Sequence, residues 1–225
     1  MGDSRPSSGA NPVIREKALI KIIVLGCANV GKTSIMERFA TGKFSGIRRP
    51  TVGSDFLSKK IEIHDVEVSL QIWDTAGQER FHQGSLGSSF YRGAHGALLV
   101  YDVNNVKSTE QIAMWRDECL SRQENEEFFP IVVIGNKVDI RDATPKEERA
   151  DQRHILAWCR DNSYGHIETS AKDGHGVQAA MLAITGLALE SKRNTQRKET
   201  STTRETVNLG AMYEPKKKGV CEGCV

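Results

Sequence analysis

A chain of 225 residues, 38% hydrophobic and 27% charged with a net charge of +2, suits one globular domain with tails and can bury its own core. The near-neutral balance gives no sign of bulk nucleic-acid binding, and no apolar run approaches the ~18 residues that span a bilayer. The five cysteines, Cys27, Cys119, Cys159, Cys221 and Cys224, are odd in number and scattered, which argues against a disulfide framework and for a reducing compartment.

Residues 1–17 hold no apolar signal core, and Pro6 stands where a myristoylation pattern wants Ser or Thr; the stretch reads as a disordered extension. A strand is expected near 19–25 and a helix near 32–40. Between them Gly26-Cys27-Ala28-Asn29-Val30-Gly31-Lys32-Thr33 completes the pattern G-x-x-x-x-G-K-[ST] in the strand–loop–helix setting it requires. There the backbone N–H groups of Ala28, Asn29, Val30, Gly31 and on into Ser34 can curl round phosphates, aided by the positive end of the helix. Lys32 is placed on the β- and γ-phosphates, and the Thr33 hydroxyl on Mg2+.

Thr41 to Asp55 reads as a loop. Strands near 57–64 and 66–73, joined tightly at His64-Asp65, are expected to form an antiparallel hairpin. The second strand delivers Trp73-Asp74-Thr75-Ala76-Gly77-Gln78-Glu79. Asp74 suits a carboxylate beside Mg2+, Gly77 allows close approach of the backbone to a γ-phosphate, and Gln78 can orient water for in-line attack. A polar loop from Gly77 to Ser89 precedes a strand near 96–102 and a helix near 107–122. The strand near 130–135 ends in Asn136-Lys137-Val138-Asp139. Guanine presents two donors that one carboxylate can accept, and Asp139 is that carboxylate; a base without them would leave it unpaired. A helix near 145–161, a strand near 165–169 and a helix near 176–190 complete the pattern. Thr169-Ser170-Ala171-Lys172 follows the last strand, where a backbone N–H can donate to guanine O6. Cys119 and Cys159 fall in helical patterns as packing residues.

Alternating β and α units predict an α/β fold: a six-stranded, mostly parallel sheet with one antiparallel edge strand and helices on both faces. Every motif above follows a strand C-terminus, which places all of them on one rim. From Ser191 the composition turns polar and basic, so 18–190 reads as the domain and 191–225 as a flexible tail holding Lys216-Lys217-Lys218, Cys221 and Cys224.

These residues resemble the Ras superfamily of small GTPases over about 18–190, and within it the Rab family, through Val52-Gly53-Ser54-Asp55-Phe56, Leu70-Gln71-Ile72-Trp73, Phe90-Tyr91-Arg92-Gly93-Ala94 and Leu99-Val100-Tyr101-Asp102-Val103. Phe129-Pro130-Ile131-Val132-Val133-Ile134, Ala157-Trp158-Cys159 and Val207-Asn208-Leu209 resemble the late-endosomal branch. The resemblance implies a GTP/GDP switch that hydrolyses GTP slowly without an activating protein. It also implies Mg2+ on Thr33, Thr51 and Asp74; Phe44 on the guanine edge; and two switch loops, 41–55 and 77–89, ordered by the γ-phosphate. The aromatic trio Phe56, Trp73 and Phe90 is expected to face GTP-dependent effectors. An exchange factor, an activating protein and an escort or dissociation-inhibitor protein are the remaining implied partners. The tail cysteines Cys221 and Cys224 are expected to be prenylated and to hold the protein on the cytoplasmic face of late endosomes or lysosomes, cycling with the cytosol.

Four departures from the family pattern stand out. They are Asn29 in the phosphate loop, Ala28 where Ser is common, Arg48 where Tyr is common, and a lengthened run His82 to Ser89. Ala28 and the longer run motivate a second reading, a GTP-dependent scaffold that barely hydrolyses.

Overall fold

The computed structural model describes residues 16–46, 54–75, 90–123 and 129–211. Its strands are β1 (Lys17–Leu25), β2 (Ser54–Ile63), β3 (Val66–Thr75), β4 (Gly96–Asp102), β5 (Ile131–Asn136) and β6 (Gly165–Glu168); its helices are α1 (Lys32–Thr41), α2 (Val106–Glu110), α3 (Ile112–Leu120), α4 (Gln152–Asp161) and α5 (Val177–Ala211). The sheet order is β2-β3-β1-β4-β5-β6, with β2 antiparallel at one edge and the other neighbours parallel. This is the sheet the sequence predicts. His64 and Asp65 both have positive φ and close a two-residue hairpin between the paired Ile63 and Val66, as the primed turns that match strand twist require.

Both faces of the sheet are covered, so its strands are apolar on both sides. Ile20, Ile22 and Val24 of β1 face Ile35 and Phe39 of α1 and Met181 and Ile184 of α5. Ile23 and Leu25 face the other way, into Trp115 and Cys119 of α3 and Ile155 and Cys159 of α4. Each such fully buried aliphatic side chain contributes about 1.5–3 kcal/mol. Burial lifts the Cys119 thiol to about 12 and the Cys159 thiol to about 11; both are inert packing residues, as the sequence suggests.

Three helix expectations need correction. The single helix near 107–122 is two, α2 capped by the Asn105 side chain on the Lys107 N–H, and α3 beginning after Gln111. The helix placed at 145–161 starts only at Gln152, because Asp151 caps it by accepting from the Arg153 N–H. The preceding stretch bonds sideways instead, Ala150 N–H to Val103 O at 3.0 Å and Val106 N–H to Glu148 O at 3.1 Å. The last helix runs past 190 to Ala211. No Gly or Pro interrupts 191–209, and Lys192 Nζ donates to Leu19 O at 2.9 Å while Arg193 pairs with Glu16. Residues 212–225 lie outside the described residues. Among the described residues no helix is long and apolar enough to cross a membrane.

Candidate functional site

β1 lies between β3 and β4, at the point where the chain's path reverses direction across the sheet, and the crevice beyond its C-terminus is where such sheets bind ligands. The phosphate loop begins there. Gly26 has φ 140°, and a Cβ on it would collide with the Val100 carbonyl of β4. Asn29 has φ 63°, a left-handed conformation that Asn adopts more readily than most residues, which accounts for its presence where a smaller residue is usual. Gly31, φ 98°, is the residue before α1, and no side chain caps that helix. The first-turn N–H groups of α1 are thus directed at the crevice.

Lys32 folds back over the loop, its ammonium donating to Gly26 O at 2.8 Å and Cys27 O at 2.9 Å. Burial lowers its pKa to about 8, against an upward pull from Asp74; a phosphate would add to that pull. Asp74 is fully buried at the end of β3 and accepts a hydrogen bond from the Thr33 hydroxyl. Among the described residues no group of three or more His, Cys, Asp or Glu could hold a metal ion. One carboxylate and one hydroxyl still fit Mg2+, which takes few protein ligands and completes its octahedron with phosphate and water oxygens.

Asn136 ties the rim together. Only 1% exposed, it donates from Nδ2 to Val30 O at 2.8 Å. Its Oδ1 accepts from the Thr169 hydroxyl at 3.1 Å and the Ala171 N–H at 3.2 Å. One amide therefore joins the phosphate loop to both guanine loops, and Gly31 is required beside it because a Cβ there would strike Nδ2. In this arrangement the Ala171 N–H is directed at the Asn136 amide oxygen. Asp139 follows in a short 3-10 turn, its Oδ1 accepting from the Ser170 hydroxyl at 2.8 Å and its Oδ2 4.0 Å from Lys172 Nζ. Both base motifs thus meet at one carboxylate.

Sequence reasoning missed several supports. Arg38 of α1 donates from Nε to Ala171 O at 2.7 Å and from its guanidinium to Lys172 O. Asp102 at the end of β4 pairs with Lys137 Nζ at 2.7 Å, and Asn104 donates to Lys137 O at 2.9 Å, holding Lys137 at its left-handed φ of 69°. Cys27 donates from Sγ to Gln111 Oε1 at 2.9 Å. Phe44 is exposed beyond Gly42, the residue that ends α1. Thr51, Gly77 and Gln78, with Arg48 and the run 82–89, lie outside the described residues.

The three aromatics are contiguous but unequally exposed. Phe56 and Trp73 are cross-strand partners with rings stacked at 5.4 Å, and Trp73 meets Phe90 edge-on at 6.1 Å. Phe56 is 56% exposed, Trp73 half-buried and Phe90 5% exposed.

A glycine-rich loop at a helix N-terminus, a hydroxyl–carboxylate pair beside it and a second carboxylate braced by Ser170 share one rim, the arrangement expected of a P-loop guanine-nucleotide-binding protein. The Ras family description matches residues 21–190. Among similar proteins are the Ras-related protein Rab7 of Pisum sativum, 42% identical over 92% of this chain and 98% of its own length, and the Ypt/Rab-type GTPase ypt7 of Schizosaccharomyces pombe, 46% identical over 79% and 85%. The Ras-related protein RABG3b of Arabidopsis thaliana is 43% identical over 80% and 88%. The chain belongs to the Ras family, as a Rab-type GTPase, and it hydrolyses GTP in vesicle trafficking.

Proposed function

We propose that this Rab-type GTPase is a membrane-attached switch of late endosomes or lysosomes. Its nucleotide sits against Ala28 to Ser34, the Phe44 ring and the Asn136, Lys137, Asp139, Ser170, Ala171 and Lys172 cluster. Asp139 accepts from guanine, and Lys32 and the α1 N-terminus hold the phosphates. Thr33, Thr51 and Asp74 would hold Mg2+, which would supply charge neutralisation at the phosphates. Gln78 orients a water whose oxygen attacks the γ-phosphorus; the bond to the β-phosphate oxygen breaks and GDP and phosphate leave. An arginine supplied by an activating protein would speed this step.

The observation that carries this reading is the Asn136 amide, which binds both base loops to the phosphate loop in one unit. Domain 18–190 is read as the switch. The tail delivers Cys221 and Cys224 for prenylation, with Lys216 to Lys218 attracted to an anionic leaflet by ~1 kcal/mol each. An exchange factor, an activating protein, an escort protein and effectors at Phe56, Trp73 and Phe90 complete the cycle. Competition for the Mg2+-loaded protein tests the nucleotide assignment: GDP should displace labelled GDP and ADP should not, and equal displacement would refute it. Replacing both Cys221 and Cys224 by Ser should release the protein from membranes with GDP binding intact; persistent membrane binding would refute lipid attachment.

A further inference from the structure

Lys21 occupies an apolar position on β1. It is only 8% exposed, and its strand neighbours Ile23 and Leu25 on the same face are core residues. A lysine is almost never this buried unless it is paired, yet among the described residues no carboxylate lies within ion-pair reach. Its ammonium donates to the Arg92 carbonyl at 2.8 Å. It also lies 4.4 Å above the centre of the Trp73 ring and 5.9 Å from that of Phe90. Those are cation–π distances, and the attraction strengthens when the cation is desolvated, as burial here ensures.

The ring that Lys21 grips is the middle one of the trio. Trp73 stacks on Phe56 on one side and meets Phe90 on the other, and it immediately precedes Asp74, the partner of Thr33 in the phosphate loop. Arg92 lies two residues beyond Phe90. One cation thus ties β1 to the ring ahead of Asp74 and to the backbone that follows the loop 77–89. A leucine or methionine would fill the same space without the desolvation cost.

We propose that Lys21 is a positioning residue, which touches no nucleotide and fixes the Trp73 ring between Phe56 and Phe90. The inference rests on the reading of that trio as the partner-binding surface only for its functional consequence; the contact itself stands apart from it.

The test uses the full chain with its three tryptophans fluorinated, and reads 19F NMR with GDP and with a non-hydrolysable GTP analogue bound. Single Trp→Phe variants assign the signals. Lys21→Met should shift or broaden the Trp73 signal in both states, leave Trp115 and Trp158 in place, and leave GDP affinity within about twofold. Lys21→Arg should restore the wild-type Trp73 signal, since it restores the cation. An unmoved Trp73 signal in Lys21→Met, or no restoration by arginine, would overturn the proposal. Should Lys21→Met fold poorly, a melting-temperature cycle with Trp73→Leu decides: coupling between the two sites upholds the contact and additivity overturns it. GTP-dependent retention of partners by the same variants separates the two readings. A moved Trp73 signal with undiminished retention would leave Lys21 in its positioning role and refute the trio as a partner surface.

Discussion

At the nucleotide rim, a set of polar groups beneath the loops is bonded to protein: Asn136 to Val30, Thr169 and Ala171, Arg38 to Ala171 and Lys172, Asp139 to Ser170. The flank of the sheet formed by β2 and β3 is built differently. There Phe56 is open to solvent, Trp73 half so, and the cation beneath them is held by one carbonyl and two rings. The first region is over-determined, as a site that must present fixed donors to a charged ligand requires. The second depends on a few soft contacts, as would suit the proposed partner surface if its arrangement changed with the bound nucleotide. The two meet at adjacent residues, Trp73 and Asp74.

The sharpest way to break that contrast is Asn136→Ala. It removes three buried hydrogen bonds and strands their partners, at about 1–3 kcal/mol for each group left unsatisfied. GDP should dissociate at least ~100-fold faster, and the protein should melt at a lower temperature. A GDP off-rate near wild type would show the rim to be less integrated than its geometry. Gln78→Leu should retain GTP affinity and slow single-turnover hydrolysis by about 10- to 100-fold; an unchanged rate would remove Gln78 from the chemistry and revive the question raised by the longer run 82–89. Phe56→Ala should weaken GTP-dependent partner binding about tenfold with GDP affinity unmoved, confining the damage to the soft region. If nucleotide affinity falls instead, Phe56 is a packing residue.

The smallest effect is with pH. His95 Nδ1 accepts from the Lys21 N–H at 3.0 Å, and burial, with Lys192 and Lys21 nearby, lowers its pKa from 6.5 to about 4. Between those values the unfolded chain binds more protons than the folded one. Stability should therefore be full above about pH 6.5 and decline as pH falls towards 4, by about 1–2 kcal/mol after allowance for partial solvent exposure. Urea melts of wild type and His95→Asn across that window provide the check; identical slopes would show that His95 does not titrate as described.

The placement of the candidate nucleotide site was legible in the sequence because its motifs are short, contiguous and sit behind apolar strands. Gly26 to Thr33, Asp74, Asn136 to Asp139 and Thr169 to Lys172 all converge, since parallel strands deliver their C-termini to one rim. The supports were not legible, because they pair across the chain: Val30 with Asn136 is a separation of 106 residues and Arg38 with Ala171 one of 133. Nothing local to Arg38 distinguishes it from a surface charge. Helix ends failed where a side-chain cap overrode the pattern, as at Asp151, and where a polar stretch without Gly or Pro extended α5 past 190.

The measurement that bears most directly on the account is the base preference of Asp139→Asn. If Asp139, held by Ser170, accepts from guanine, an amide there offers a donor where xanthine presents an oxygen. Competition between GDP and xanthosine diphosphate on the Mg2+-loaded variant should then favour the xanthine nucleotide, whereas wild type favours GDP. An Asp139→Asn protein that keeps the wild-type preference would contradict the claim that this carboxylate reads the base.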